Sequence, residues 1–338
     1  MSFFYISFGY MKSKILFLLC LVSSIALAED ANPIKLAMQT MEKSKIVYSV
    51  KELKSPIPEP DRSNMLTIQV YREKTSKGYV LRHFDITGEA KKEFDKAEVL
   101  FNAKRFEDAR EAYKRVMLFN PKAVNMMTFV AQTYGLEQKW DKAELWYKKS
   151  IEANYLDYLA HWLLADIYLI KGEKKKSLDE ISIAKVLNRN NPRLEEKRKK
   201  IYAANGLDSS SFIFNPQTRI SQGSDGTVTI EADSIWMIYS LIRAAWMYEP
   251  DYKKKAAASA NPKSMIAKDC LFGLIPNIET RRLSSKTLAR YDKALMGGHA
   301  SEFIYYEMLL PDNPTSAFYL EPKEIEQIKD YLIFINKK

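Results

Sequence analysis

The sequence has few of the residues that stabilise proteins through covalent bonds or metal ions. It contains two cysteines, Cys20 and Cys270, and three histidines among 338 residues. A disulfide framework is therefore excluded. None of the histidines has a second histidine or a cysteine at metal-ligand spacing, so we expect no metal site and no cofactor.

Glycine and proline are also scarce, with 11 and 13 residues. The glycine-containing motifs of phosphate-binding loops, dinucleotide-binding folds and nucleophile elbows are absent from the sequence, which removes the commonest enzyme signatures. Apolar residues make up 46% of the chain and charged residues 28%. This composition, rich in Ala, Leu, Lys and Glu, is typical of a folded and mainly α protein.

The first long apolar run is too short to span a bilayer. Lys12 and Lys14 precede an eleven-residue apolar stretch, Ile15 to Ile25, which is followed by the small-residue sequence Ala26-Leu27-Ala28. This is the pattern of a cleavable secretory signal, whereas a retained membrane anchor would need roughly 20 apolar residues. We expect cleavage near Ala28 and a periplasmic or secreted protein, and we interpret residues 1–10 as an over-extended reading frame.

The chain is basic, with a formal net charge of +10 that falls to about +8 without the signal. Runs such as Lys174–Lys176, Lys197–Lys200 and Lys253–Lys255 are most simply solvated helix faces. Because an exported protein rarely meets nucleic acid, anionic envelope polymers or lipid head groups are the expected charge-driven contact. Cys270, the one cysteine after the signal, is expected to be a small buried residue.

Residues 90–191 contain an internal repeat in which similar residue types recur at a constant spacing of about 34 residues. Small side chains recur in two series, and large apolar side chains recur in two more. The small series are Ala97, Ala131, Ala165 and Ala109, Ala143, Ser177, and the large series are Leu100, Tyr134, Tyr168 and Tyr113, Tyr147, Ile181.

This pattern resembles the tetratricopeptide repeat family, in which each repeat is a pair of antiparallel helices. The resemblance implies three repeats, each with small residues where its two helices approach closely and large residues between neighbouring pairs. A further helix at Arg193–Ala204 would cap the stack. We therefore assign residues 89–205 to three repeats plus a capping helix.

The resemblance also implies a concave groove lined by the first helix of each repeat. Phe94, Phe101 and Trp162 would offer apolar anchor sites, and Glu98 and Asp166 would favour a basic partner. The alternative is that a flanking segment fills the groove and these side chains are core. The predicted groove residues are Lys91, Phe94, Glu98, Phe101, Asn125, Thr128, Gln132, Leu159, Trp162, Asp166 and Leu169.

Two flanking regions have other patterns. In residues 29–88 the sequence pattern predicts a short helix at Ile34–Glu42, a strand within Lys45–Leu53, and a hairpin whose loop is Lys74–Gly78. We expect these strands to form a small sheet that packs on the first repeat. Residues 206–338 predict a mostly helical α+β domain with short strands, Phe212–Phe214 among them, and a helix from Ser234 to Tyr248. The predicted fold is thus mainly α, with the repeats between a small β-hairpin region and this C-terminal domain.

These observations favour a noncatalytic scaffold or adaptor in the bacterial cell envelope that holds a protein or peptide partner. The alternative is an enzyme of unknown class with its site in residues 206–338 and the repeats recruiting substrate. Cys270 with His299 is the best candidate thiol–imidazole pair, but Gly297-Gly298 beside it already has a simpler explanation as a helix stop. His161 is expected to be a hydrogen-bonded core residue.

Overall fold

The structure, a computed structural model, describes residues 32–62, 66, 70–76, 78–280 and 283–338. The predicted signal and the residues before it lie outside these ranges. The described chain forms two units, each built from two separate stretches of sequence. One unit contains residues 61–212 and 310–338, here called the repeat unit, and the other contains residues up to 60 and 213–309, here called the sheet unit.

The repeat unit has seven consecutive helices. The first six form three pairs, each pair packs as a hairpin and stacks on the next, and the seventh helix packs on the third pair. The second helices of the three pairs begin at the equally spaced residues Phe106, Trp140 and Lys174, so the predicted three repeats and the mainly α fold are confirmed. The helices are α2 (Gly88–Asn102), α3 (Phe106–Phe119), α4 (Met126–Leu136), α5 (Trp140–Ala153), α6 (Tyr158–Ile170), α7 (Lys174–Leu187) and the capping helix α8 (Pro192–Ala204).

The turn within each pair uses one residue with positive φ. Lys104 and Gln138 have φ of 60° and 59°, and Gly172 takes the same place in the third repeat with φ of 77°. A left-handed residue reverses the chain directly after the first helix, and glycine adopts this conformation without steric cost. The third turn, which lacks the aromatic residue of the other two, therefore keeps the same geometry through Gly172.

Small side chains stand where the helices of a pair cross. Ala97, Ala131 and Ala165 are fully buried, as are Ala109 and Ala143. Ser177, the last member of its series, is also fully buried and donates its hydroxyl to the carbonyl oxygen of Ala165 at 2.8 Å. The predicted close approach of the paired helices is thus present in all three repeats.

Polar contacts connect one repeat to the next. Arg110 on α3 is buried and donates to the hydroxyl of Thr133 at 3.1 Å and to the carboxylate of Glu137, both on or directly after α4. Its guanidinium also lies 4.0 Å from the ring centre of Tyr134. Because a planar cation can hydrogen-bond and stack at the same time, one side chain ties two neighbouring hairpins together.

Two further segments complete the repeat unit. Strands β2 (Val70–Thr75) and β3 (Gly78–His83) form the predicted hairpin, paired from Val70 with His83 to Thr75 with Gly78. Residues 310–338 contribute a 3-10 helix, Pro314–Tyr319, and helix α15 (Pro322–Ile335), which packs on α7. Arg72 on β2 donates its Nε to the carbonyl oxygen of Phe318 at 2.8 Å.

The sheet unit places helices against a three-stranded sheet. Its central strand β5 (Val228–Ala232) pairs in parallel with β1 (Tyr48–Glu52) and antiparallel with β4 (Thr218–Gln222). The helices are α1 (Pro33–Lys43), α9 (Met237–Tyr248), α10 (Pro250–Ala258), α11 (Pro262–Phe272), α12 (Ile275–Glu279), α13 (Lys286–Met296) and α14 (Ala300–Phe303), the last continued by a π-helix at Ile304–Leu309.

A close backbone contact fixes two helices of this unit. A side chain at Gly273, directly after α11, would come within 2.7 Å of the backbone nitrogen of Tyr239 on α9. Only glycine allows this approach. Tyr48 on β1 donates its hydroxyl to Glu249, which follows α9, at 2.6 Å, so strand and helix are joined in the interior.

The division of the chain differs from the predicted boundaries at residues 88 and 206. Residues 32–60, predicted to belong with the hairpin, join the sheet unit because β1 pairs with β5. Residues 310–338, predicted to belong to the C-terminal domain, join the repeat unit because α15 covers α7. Residues 212–214, predicted to be a strand, form none. The helix predicted to begin at Ser234 begins at Met237, because residues 234–236 form a turn. The side chain of Asp233 caps this turn by accepting the backbone N–H groups of Ile235 and Trp236.

Within the described ranges, no helix is both long enough and apolar enough to cross a bilayer.

Candidate functional site

The candidate site is the first-helix face, which we define as the predicted groove residues on and just before α2, α4 and α6. Lys91 is exposed at the start of α2 and forms an ion pair with Asp95 one turn later. Most of the other predicted residues are half-buried, so each of them shows part of its side chain at the surface. These are Phe94, Glu98, Phe101, Gln132, Leu159, Trp162, Asp166 and Leu169.

Two predicted groove residues are buried instead. Thr128 is fully buried, donates its hydroxyl to Asp157 at 2.6 Å and lies 2.7 Å from the hydroxyl of Ser150. Asn125 is 5% exposed at the start of α4. Helical spacing alone places both residues on the groove side. Thr128 is nevertheless buried, because its hydroxyl bonds with Ser150 near the end of α5 and with Asp157 just before α6. Thr128 and Asn125 are thus buried in the free chain, and their contact with a partner stays a prediction.

Both carboxylates predicted to attract a basic partner already have partners within the unit. Glu98 accepts the hydroxyl of Tyr113 at 2.5 Å, and Asp166 lies 2.8 Å from the ammonium of Lys197 on the capping helix. Burial raises the pKa of Asp166, while the hydrogen bond and charge of Lys197 oppose that rise. The electrostatic attraction that these groups could offer a ligand is reduced accordingly.

The aromatic anchors differ along the stack. Phe94 is half-buried and contacts Phe129 of the next repeat, with ring centres 6.3 Å apart. Trp162 packs against the core cluster of α7 and α8, which includes Leu194 and Tyr202. In the third repeat, the capping helix therefore covers part of the face.

Two exposed apolar residues at the repeat spacing extend this face. Leu136 and Ile170, at the ends of α4 and α6, are 52% and 56% exposed. They lie one helical turn after Gln132 and Asp166, and residues four apart share a helix face. The sequence prediction missed this pair, although its spacing matches that of the repeat series and could have revealed it.

The second and third repeats are also joined by an ion-pair network. Glu144 on α5 accepts from Lys148 at 2.5 Å and from Lys171, directly after α6, at 2.6 Å. Burial alone would raise its pKa, but the bonds to the two lysines outweigh this effect and lower the pKa to about 2. The ionised carboxylate thus stabilises the contact between the two repeats.

This network predicts a dependence of stability on pH. The pKa of Glu144 is lowered from 4.5 to about 2, so its contribution is complete above pH 4.5 and is lost as pH falls toward 2. We expect a loss of about 1–2 kcal/mol over this range. Urea unfolding of the native chain and of Glu144→Gln should show a stability difference that narrows between pH 5.5 and 3. A difference independent of pH would contradict the assignment.

Of the thiol–imidazole pair considered for catalysis, Cys270 is buried, whereas His299 is half-buried and lies 3.7 Å from Glu302. Burial raises the pKa of the Cys270 thiol to about 12, so it stays protonated at neutral pH and is a poor nucleophile. His161 is buried as predicted, with Nδ1 2.6 Å from Glu180 and Nε2 3.1 Å from the carbonyl oxygen of Tyr155. Among the described residues, no cluster of three or more His, Cys, Asp or Glu could hold a metal ion.

No family model matches the sequence, and no curated protein matches it. Similar solved structures include the first TPR domain of Spaghetti (RPAP3) bound to an HSP90 peptide, with 18% identity over 35% of this chain and 94% of that one, at a TM-score of 0.33.

Two more similar structures come from other settings. One is the Yersinia enterocolitica type III secretion chaperone SycD with a peptide of the translocator YopD, with 15% identity over 36% of this chain and 98% of that one, at a TM-score of 0.32. The other is MamA, with 16% identity over 61% of this chain and 94% of that one, at a TM-score of 0.31. These scores are low, and the repeat architecture is established by the helices described above.

Proposed function

From the premise that residues 88–187 are three tetratricopeptide repeats, we propose that the chain is a noncatalytic scaffold that holds a segment of a partner protein on its first-helix face. The carrying observation is that Leu136 and Ile170 are exposed, while Phe101 and Leu169, also assigned to the first-helix face, are half-buried. Apolar side chains that are exposed in register on neighbouring helices suit the apolar anchors of a helical or extended segment.

The chemistry of this face favours apolar contact over charge attraction. Glu98 and Asp166 are engaged by Tyr113 and Lys197, while Leu136 and Ile170 expose about half of their side chains to water. Covering apolar surface contributes about 25 cal/mol per Å², and anchors of this kind commonly dominate the energy of an interface. The proposed partner therefore presents apolar or aromatic residues, with any basic residues at the rim.

The test places a photo-crosslinking amino acid at Leu136 or at Ile170 in the full chain, expressed in cells. We expect both positions to crosslink the same protein. Leu118 provides a matched control, since it is 78% exposed but lies on the second helix α3. Leu136→Lys together with Ile170→Lys should reduce capture of that protein at least tenfold with unchanged helical content. Equal crosslinking from Leu118, or none from Leu136 and Ile170, would reject the proposal that the first-helix face binds the partner.

We also propose that this scaffold works in the bacterial envelope, supported by the secretory signal pattern of residues 11–28. Mass spectrometry of the protein isolated from a periplasmic fraction should find an N-terminus at Glu29. An intact N-terminus in a cytoplasmic fraction would reject export while leaving the first-helix face open to the crosslinking test.

A further inference from the structure

A cavity of about 350 Å³ lies within the repeat unit, beside strand β2. We call it the hairpin cavity. Among its described lining residues, none belongs to the first-helix face. Pockets for small molecules have volumes from about 300 Å³ upward, so this one suits a small ligand. Its walls include Tyr71, Arg72 and Tyr79 of the β2–β3 hairpin, Lys122 after α3, residues 153–156 at the end of α5, and Glu321 before α15.

Hydrogen bonds hold these walls together in the free protein. Arg72 donates its Nε to the carbonyl oxygen of Phe318 at 2.8 Å and its Nη2 to that of Leu320. Asn154, at the end of α5, donates its Nδ2 to the carbonyl oxygen of Val70 at 2.9 Å. The hairpin is therefore tied both to the end of α5 and to the segment before α15, and the cavity between them is formed without a ligand.

The guanidinium of Arg72 keeps donors that the protein does not use. Its side chain is only 13% exposed, and the two main-chain acceptors engage Nε and one N–H of Nη2. In the part of the chain that the structure describes, no hydrogen bond engages Nη1, and its ion-pair partner Glu321 lies 3.8 Å away, beyond hydrogen-bond distance. Because a guanidinium carries five N–H donors, three of them can bind water or a ligand.

Positive charge exceeds negative charge around the cavity. Arg72 and Lys122 line it, and Glu321 is the one carboxylate among the lining residues that the structure describes. Lys122 is 66% exposed and lies 3.0 Å from Glu73, which also accepts from Arg82 at 2.8 Å, so that carboxylate is shared between two cations. A small excess of positive charge suits a monoanion, such as a carboxylate, better than a dianion, such as a phosphate ester.

Aromatic rings form another part of the wall. Tyr71, Tyr79 and Tyr155 all line the cavity. The hydroxyl of Tyr155 donates to Glu326 at 2.6 Å, so its polar group is already engaged and its ring carbons remain for a ligand. The guanidinium of Arg72 lies 5.7 Å from the ring centre of Tyr79. A cation and aromatic rings are thus side by side, which suits a ligand that combines an anionic group with a flat apolar group.

We propose that the hairpin cavity binds a carboxylate attached to an aromatic group. The carboxylate pairs with the Nη1 donors of Arg72 and with Lys122, and the aromatic group packs on Tyr79 and Tyr155. This chemistry occurs in free aromatic acids and at the end of a peptide whose last residue is aromatic. Because the site is not on the first-helix face, it does not depend on the proposed function above.

The test is calorimetric titration of the full chain with two defined acids, phenylacetate and N-acetylglycylphenylalanine, each compared with its neutral carboxamide. We expect saturable binding of at least one acid and at least tenfold weaker binding of its amide. Tighter binding of phenylacetate would identify free acids as the ligand source, and tighter binding of the peptide would identify chain ends. If neither acid binds, or if acid and amide bind equally, the proposal is overturned.

Two substitutions of exposed side chains locate the site. Lys122→Gln and Tyr79→Ala should each weaken binding of the acid at least fivefold, and because both side chains are well exposed, neither change should disturb folding. The matched control is Lys92→Gln, since Lys92 is also an exposed lysine paired with a carboxylate, Glu89, but lies on α2. It should leave binding unchanged. Unchanged binding by both Lys122→Gln and Tyr79→Ala would also overturn the proposal.

Hydrogen exchange provides an independent measurement. The bound acid should slow amide exchange of residues 71–72 and 155–156 at least threefold, while the amides of α2 keep their rates. Arg72→Lys keeps the charge but loses the Nη1 donors, so it should remove this protection in a chain whose repeat amides stay protected. Protection confined to α2, α4 and α6 would place the acid on the first-helix face and refute the hairpin cavity as its site.

Discussion

Replacing Ala131 by leucine should destabilise the repeat unit by about 2–3 kcal/mol, because the site has no room for three extra carbon atoms. Ala131 on α4 is fully buried where α5 crosses it, in one cluster with Ala143, Tyr147 and Ala160. A larger side chain there must separate the paired helices, and the displacement would reach the third repeat, because α6 belongs to the same cluster.

Urea unfolding with hydrogen exchange of amides in residues 88–204 measures this effect separately from the sheet unit. Ala204→Leu is the control, since Ala204 is exposed at the end of α8, and it should shift stability by less than about 0.5 kcal/mol. Equal stability of Ala131→Leu and the native chain would mean that the helix pair does not need a small residue at its crossing.

Glu195→Gln should cost about 3–5 kcal/mol, because it removes the carboxylate that compensates buried cations. The Oε2 of Glu195 lies 3.1 Å from the ammonium of Lys185, and its Oε1 lies 2.7 Å from Nη2 of Arg198. Both basic side chains are almost completely buried. Glutamine keeps the shape of the side chain but cannot balance either charge. Glu196→Gln, an exposed neighbour, is the matched control and should be nearly neutral.

The pH dependence of this variant gives a second readout. Burial lowers the pKa of Lys185 to about 8, although Glu195 acts to raise it. Without Glu195 the pKa should fall further, so the variant's lysine loses its charge at a lower pH. The stability deficit of Glu195→Gln should therefore shrink as pH rises from 6 toward 8. Adding Lys185→Met should restore much of the stability, and a deficit that is constant with pH would contradict this account.

The repeat architecture was predictable because its signals are local and periodic. Every helix pair needs a small residue where its two helices cross, whatever its position in the stack. Ala97, Ala131 and Ala165 therefore recur at a constant spacing, which can be seen in the sequence without knowing which segments pack around the repeats. The side of each first helix that faces a groove is also set by helical spacing. Whether a residue on that side is exposed depends on what packs against it, and this is why Thr128 is buried although helical spacing places it there.

The sequence contains no comparable signal for which distant segments pair with each other. β1 lies next to β5 although roughly 180 residues separate Val50 from Ile230, and short apolar strands carry little information about their partner. The same holds for α15, whose amphipathic pattern predicts a helix but not that it packs on α7. Asn120, Asn154 and Asn188 are intermediate, because their regular spacing is visible in the sequence whereas the main-chain oxygens that they bind, those of Asp85, Val70 and Leu66, are not.

The interleaved composition of the two units has a consequence for biosynthesis. Leu178, Ile181 and Ala184 of α7 belong to the cluster against which Ile333 of α15 packs, and the ribosome makes α15 after the whole of residues 213–309. The last layer of the stack therefore stays partly uncovered while residues 213–309 of the sheet unit are translated. A nascent chain halted before residue 310 should expose this apolar side to chaperones, which makes the order of synthesis itself a determinant of folding yield.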